Sequence, residues 1–389
     1  MTSWAGRRLE VTVGPVAHGG HCVARHEGRV IFVRHALPDE QVVVLVTEDR
    51  GGSFCRGDAV SVLSASPSRV TPPCPVARPG GCGGCDFQHA TPELQRSLKA
   101  RVLAEQLSRL AGLDVSVEME ELPGGPLSWR TRARLTTDSS GRPGFRAHRS
   151  HEVIPISGCP ISAPGTVDEV VGRVWPPDSA VTVAVDASGV THLGPSTAVE
   201  RAARRAWQVP AEGFWQAHPD AADVYAEVVA SWCGLSPGEA AWDLYGGVGL
   251  FAAVLAQAVG ATGEVLVVES FPPAAEAAAE NLADLPQVRV FEGRVEAVMA
   301  AGVGRPPSTV VLDPPRTGAG RKVVEAIATR EPARVIYVAC DPAALARDVS
   351  TFATHGYTLA EIRAFDAFPM THHMECIALL TTKTVTPNE

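Results

Sequence analysis

The chain has 389 residues, of which 45% are hydrophobic and 20% charged, and its net charge is −9. These values fit an ordinary soluble globular protein of one to three domains and offer no membrane span or apolar signal-peptide core, so a cytoplasmic protein is expected. Nine cysteines in such a chain point to metal or catalysis before disulfides, and the net charge argues only weakly against a nucleic-acid partner, because local clustering of basic residues matters more.

Residues 1–66 read as short strands and turns. Leu9–Gly14 alternates, Gly28–Val33 follows, Leu37–Glu40 turns, and Gln41–Thr47 and Ala59–Leu63 are further strands. Short strands at this spacing predict a small β-barrel. Seven arginines balance seven acids over residues 1–64. Two readings stand: a structural barrel, or an OB-like module whose strand face holds single-stranded nucleic acid.

Cys74, Cys82 and Cys85 then fall within twelve residues, among glycines and prolines. Glycine lets a backbone wrap closely, so several sulfurs can converge on one centre. A tetrahedral ion or a four-iron cluster needs a fourth ligand, and Cys159 in Ser157-Gly158-Cys159-Pro160 is the candidate. The Cys-x7-Cys-x2-Cys spacing lacks the paired knuckles that favour zinc.

A helical face over residues 92–112, carrying Leu94, Leu98, Val102, Leu103, Leu107 and Leu110, stops at Gly112. Between residues 126 and 150 there are six arginines against one acid, Asp138. Arg130, Arg132 and Arg134 alternate and so share one strand face, with Arg146 following. A row of like charges repels itself unless a polyanion faces it; guanidinium forks suit phosphate, and Trp129 or Phe145 offers a stacking surface for a base. Residues 160–205 carry no clear signal beyond turns.

From about residue 206 strands and helices alternate, which predicts a doubly wound α/β sheet. Strands are expected at Ala241–Tyr245, Val265–Glu269, Val288–Phe291, Thr309–Asp313 and Val335–Ala339, and helices at Ala222–Cys233, Leu250–Val259 and residues 273–284. Asp243 to Gly249 is a tight glycine loop between strand and helix, and Glu269 ends the next strand, where an acid grips ribose hydroxyls. The loop is not GxGxxG and resembles the class I S-adenosylmethionine loop instead. Asp313-Pro314-Pro315 stiffens a further strand end. Cys340 ends the fifth strand, where a thiol faces a cleft, as a nucleophile, or packs as a small hydrophobe. Glu375 stands before Ile377–Leu380 as a carboxylate at a strand mouth, which suits a base with a raised pKa. His372 and His373 lack the helical spacing of a zinc site.

Together these motifs resemble the bacterial S-adenosylmethionine-dependent RNA uracil-5 methyltransferases, over nearly the whole chain. The resemblance implies a TRAM barrel at residues 1–66, a central iron–sulfur and RNA-binding domain at 67–205 and a class I methyltransferase domain at 206–389. It implies that Cys74, Cys82, Cys85 and Cys159 hold a 4Fe–4S cluster. It places Gln216, Tyr245, Gly247, Gly249, Glu269 and Asp313 on the cofactor, with Arg316 beside Asp313 in the pocket. Cys340 becomes the nucleophile and Glu375 the base. Transfer or ribosomal RNA is the expected partner, and a monomer is expected. The chain departs from the family pattern at Leu250, His218 and Arg294 and in a longer first cysteine gap. Those departures leave one rival, a non-catalytic iron–sulfur RNA-binding protein or RNA chaperone.

Overall fold

The computed structural model describes residues 2–382. The first five strands are β1 (Arg8–Ala17), β2 (His21–His26), β3 (Arg29–Arg34), β4 (Gln41–Glu48) and β5 (Phe54–Ser64). They close a barrel in the order β1-β2-β3-β5-β4. Alternation drives the closure: Val42, Val44 and Val46 of β4 point inward while Gln41 and Thr47 face solvent. An irregular cysteine-bearing segment follows the barrel.

Helix α1 (Pro92–Gln106) begins with Thr91, whose side chain accepts from the Leu94 amide, and with proline at its first position. It widens into a π-helical turn over Leu107–Ala111 and stops at Gly112, at φ 67°. Strand β6 (Met119–Glu121) comes next. β7 (Arg132–Thr137), β8 (Pro143–Arg146) and β9 (Val153–Pro155) then join, beyond the one-turn α2 (Asp168–Val171), with β10 (Ala180–Val185) and β11 (Thr191–Leu193). The five form a small sheet in the order β11-β10-β7-β8-β9. β12 (Thr197–Ala202) and β13 (Arg205–Pro210) make a separate hairpin.

The remaining elements alternate as α3 (Ala221–Trp232), β14 (Ala240–Leu244), α4 (Leu250–Val259), β15 (Glu264–Glu269), α5 (Pro272–Asn281), β16 (Val288–Glu292), α6 (Val295–Ala300), β17 (Thr309–Leu312), α7 (Arg321–Ala328), β18 (Arg334–Ala339), α8 (Pro342–Thr354), β19 (Tyr357–Asp366) and β20 (Glu375–Thr382). The sheet order is β16-β15-β14-β17-β18-β20-β19-β6. β14 to β18 run parallel, and β20 runs antiparallel to both β18 and β19. The apolar runs of β14, β15, β17, β18 and β20 are buried on both faces, as a helix-covered parallel sheet requires, while the edge strand β16 has no buried residue.

Three differences from the expected layout stand out. Residues 160–205 hold α2, β10, β11 and β12, whose short strands are too brief to show a period. The expected boundary near residue 205 cuts the β12–β13 hairpin, because its arginines mask the strand pattern. The 92–121 stretch, expected with the central domain, instead packs on the C-terminal sheet: β6 pairs Met119 with Ala364, and Leu98, Val102 and Leu103 of α1 enter the same core. Among the described residues no helix is long and apolar enough to cross a membrane.

α1 also ties down the loop between β19 and β20. The fully buried Lys99 ammonium donates to Asp366 Oδ1 at 2.5 Å and to the Phe368 carbonyl at 3.0 Å. Gln95 accepts from the Met370 amide at 2.8 Å, and the Asp86 carboxylate accepts from the His372 amide and ring. Removing one partner of a buried ion pair strands the other charge in a low dielectric. Lys99→Ala should therefore destabilise the fold by about 3–5 kcal/mol, read as a lower denaturant midpoint at unchanged slope.

Candidate active site

Side-chain alternation decides which groups meet. Trp242, Leu266, Val310, Tyr337 and Ala378 belong to the core on one face of the large sheet, and Ala241, Val267, Val311, Val338 and Ile377 to the core on the other. Continuing that alternation puts Asp243, Glu269, Asp313, Cys340 and Glu375 on the second face, the one covered by α3, α4 and α5. All but Glu375 lie at or just past the carboxyl ends of parallel strands. Glu375 reaches the same edge because β20 is reversed. Ala339 pairs with Cys376, so one step outward along the ladder Cys340 faces Glu375.

Burial shapes the charge of these groups. Glu375 is 4% exposed, and burial, then the neighbouring Asp313, push its carboxyl well above the usual range, against the pull of Arg316. Burial pushes Asp313 up to about 7, with Glu269 adding to it. Burial pushes Asp243 up to about 8, opposed by the bond it accepts from the Ala252 amide at 2.8 Å. The half-buried Cys340 thiol rises to about 12, first from burial and then from Glu375 and Asp313, while Arg316 opposes. Burial therefore favours the neutral forms of Glu375, Asp243 and Cys340 over their charged forms. A cation entering beside them would reverse that balance.

The glycine loop supplies the cradle. A Cβ on Gly247, at φ 55°, would meet nothing within 4 Å, whereas one on Gly249, at φ 96°, would strike Leu282 at 2.6 Å. The first position faces open space and the second is forced by packing. Glu269 Oε2 accepts from the Gly247 amide at 2.9 Å, and Oε1 accepts from the Ser270 and Phe271 amides. Glu269 thus braces the loop as well as ending its strand. A cavity of about 360 Å³, lined by Tyr245, Ser270, Arg294, Pro315 and Thr317 among others, opens beside the loop. Gln216 is buried in the connection before α3. Leu250 is buried in the core behind the loop, so this departure packs inward. Asp243 Oδ1 is buried without a hydrogen-bond partner. A buried orphan acceptor, an open glycine cradle and a strand-end acid form a donor set that fits an aminoacyl nucleoside.

Cys74, Cys82, Cys85 and Cys159 all line one small, mostly apolar cavity together with Arg130 and Phe145. Among the described residues no group of three or more His, Cys, Asp or Glu side chains is arranged to hold a metal ion. A single zinc would draw its sulfurs to about 2.3 Å from one point. A four-iron cluster gives each cysteine its own iron and spaces the sulfurs more widely. Four cysteines on one cavity supply the thiols that either group would need.

The arginine row is broken. Arg132 Nη2 donates to Glu200 at 2.9 Å and Nη1 to the Ala211 and Gly213 carbonyls, so it braces the hairpin instead of facing solvent. The acid comes from β12, 68 residues away, so local charge counting missed it. Arg130 precedes the strand and lies over the Phe145 ring at 5.4 Å. Arg134 and Arg146 remain exposed. Trp129, expected as a stacking surface, is buried against His218, with the rings nearly parallel at 6.3 Å. Asp86, which reads locally as a surface polar residue, is buried, and with Lys99 it steers the loop ahead of Glu375. Their partners stand 286 and 267 residues away.

Because Asp243 keeps its proton to about pH 8 when folded but only to about 4 when unfolded, the folded state binds the extra proton in between. Its contribution to stability is thus present at low pH and is lost as pH rises through that window. Asp243→Asn removes the titration, so it should raise the melting temperature relative to wild type more at pH 8 than at pH 5. An equal shift at both would show an ordinary carboxyl.

The profile described as tRNA (Uracil-5-)-methyltransferase matches residues 306–383, and the TRAM domain profile matches residues 3–60. An uncharacterised RNA methyltransferase of Streptomyces avermitilis is 45% identical, covering 96% of this chain and 98% of its own. The 23S rRNA (uracil(1939)-C(5))-methyltransferase RlmD of Shewanella denitrificans is 30% identical, covering 96% and 95%. The Pyrococcus abyssi tRNA (uracil-54, C5)-methyltransferase shares the fold, with a TM-score of 0.74 at 21% identity over 95% of this chain and 99% of that one. Fold, profiles and full-length relatives agree: this chain belongs to the S-adenosylmethionine-dependent RNA uracil-5 methyltransferases.

Proposed function

We propose that this protein methylates carbon 5 of a uridine in a looped segment of transfer or ribosomal RNA through a covalent bond between Cys340 and the base. The observation that carries this reading is the placement of Cys340 and Glu375 one residue beyond the terminal Ala339–Cys376 pair, at one edge of the sheet, where the Glu375 charge acts on the thiol. A 23S rRNA uridine is the first substrate to test, because a relative that aligns over nearly the whole of both chains is named for that RNA.

Carbon 5 of uracil is a poor nucleophile. The Cys340 thiolate forms a bond to carbon 6, and the ring π electrons move to oxygen 4, which makes carbon 5 electron-rich. S-adenosylmethionine, held by Gln216, the Tyr245–Gly249 loop, Glu269 and Asp313, supplies an electrophilic methyl group. Its positive charge also favours the thiolate over the thiol. Carbon 5 would take the methyl as the sulfonium's carbon–sulfur bond breaks and S-adenosylhomocysteine leaves as a neutral thioether, and it would keep its proton for the moment. The Glu375 carboxylate then removes that proton; the electron pair re-forms the carbon 5–carbon 6 double bond, and the sulfur leaves as thiolate. A cysteine suits this sequence because it both attacks and departs easily. The target base must leave its stack to reach the sheet edge, which favours unpaired RNA.

The barrel, with the exposed Arg134 and Arg146, is proposed to hold the RNA backbone, and the four cysteines a 4Fe–4S cluster that shapes the segment around them. Arg130, beside that cavity, would carry the effect of the cluster toward the RNA. Protein purified without oxygen should be brown, with broad visible absorption that fades on cluster loss; colourless protein with bound zinc would overturn the cluster.

Cys340→Ala should abolish transfer of labelled methyl to an unmodified 23S rRNA transcript. Glu375→Gln should accumulate a methylated protein–RNA adduct that survives denaturation. Wild-type turnover by either variant would contradict the assigned role.

A further inference from the structure

One buried polar group beside the site has no part in this scheme. Tyr225 of α3 is fully buried, and its hydroxyl has no hydrogen-bond partner. Its ring packs on Phe365 with centroids 5.4 Å apart. Phe365 is the cross-strand partner of Glu375 in the β19–β20 ladder. The ring thus lies on the residue next to the base, on the sheet face where Cys340 and Asp313 also lie. Glu375 is orphaned too: its buried Oε1 has no partner. A donor without an acceptor and an acceptor without a donor lie on one face around Phe365, so a hydrogen bond between them would satisfy both.

Resting on the reading of Glu375 as base, we propose that the Tyr225 hydroxyl is a positioning group that donates a hydrogen bond to the Glu375 carboxylate when that carboxylate takes the carbon 5 proton. The electrostatics agree. Burial, then Glu375, then Asp313, Cys376 and Asp366 hold the phenol protonated far above neutral pH, so it remains a donor throughout. The titratable and charged groups facing Glu375 are Asp313, which raises its pKa, Arg316, which lowers it, and the thiols of Cys340 and Cys376, whose own pKa values Glu375 raises. Neither neutral donor nor close cation otherwise touches Oε1. The base must lose its proton before it can act, and a donor to the ionised form brings that ionisation toward neutral pH. No atom of Tyr225 enters the covalent chemistry: the proton moves from carbon 5 to Glu375, and the phenol keeps its own.

Tyr225→Phe tests this, because it removes one oxygen and keeps the ring on Phe365. Using the full-length protein, labelled S-adenosylmethionine and an unmodified 23S rRNA transcript, methyl transfer and adduct decay are followed separately across pH, with Glu375→Gln in parallel. In Tyr225→Phe the pH midpoint of adduct decay should rise by about one unit. Decay at pH 7 should slow about tenfold, while KM for the RNA and the rate of methyl transfer hold. A wild-type midpoint and decay rate in Tyr225→Phe, alongside a trapped adduct in Glu375→Gln, would overturn this inference alone. Normal decay in Glu375→Gln would instead remove the base assignment on which it rests. If Tyr225→Phe lowers the melting temperature, Tyr225→Leu, which loses ring and hydroxyl together, should show the same midpoint as Tyr225→Phe. A further shift in Tyr225→Leu would assign the effect to packing and overturn the proposal.

Discussion

One reversed strand sets up everything at this sheet edge. In a parallel sheet the carboxyl ends of the strands gather at one edge and the amino ends at the other. β20 runs against its neighbours, so its first residue arrives where theirs end. A carboxylate that opens one strand is thereby set beside a sulfur that closes another, with no long loop to position either. Backbone hydrogen bonds hold that relation, and such ladders are among the stiffest parts of a fold. Slipping the pairing by one residue would send Glu375 to the opposite face and part it from Cys340.

The reversal needs a tether, because β20 is reached through the loop from residue 367 to 374. That loop is held from outside the sheet: Lys99 and Gln95 reach it from α1, and Asp86 from the cysteine-bearing segment. The middle of the chain is therefore part of the catalytic architecture, even where it carries no reacting group. The site also keeps three acids in apolar surroundings, so their charge is suppressed at rest and becomes available as ligands enter.

Much of this was legible in the residues. Strand ends marked by Asp243, Glu269, Asp313 and Cys340 stand out because each interrupts an apolar run with a polar group. A small barrel followed from the alternation of its short strands, though not their order, and the glycine loop from its spacing. What stayed hidden depends on contacts distant in the chain. Arg132 looks free until Glu200 meets it across the hairpin. Trp129 looks like a stacking platform until the fold covers it. Tyr225 sits in an unremarkable helical pattern, and only the sheet beneath it gives its hydroxyl meaning. The 92–121 stretch changes allegiance for the same reason, since β6 finds its partner more than two hundred residues away.

The claim that most needs testing is that Cys340 bonds to carbon 6 of the target uracil before carbon 5 gives up its substituent. An RNA transcript bearing 5-fluorouridine isolates that event, because fluorine at carbon 5 cannot be removed by a base as a proton can. Peptide mass spectrometry of the wild-type protein after reaction with this RNA and S-adenosylmethionine is predicted to find a methylated fluorouridine attached to the peptide containing Cys340. Absence of any adduct, or attachment at another cysteine, would contradict the account.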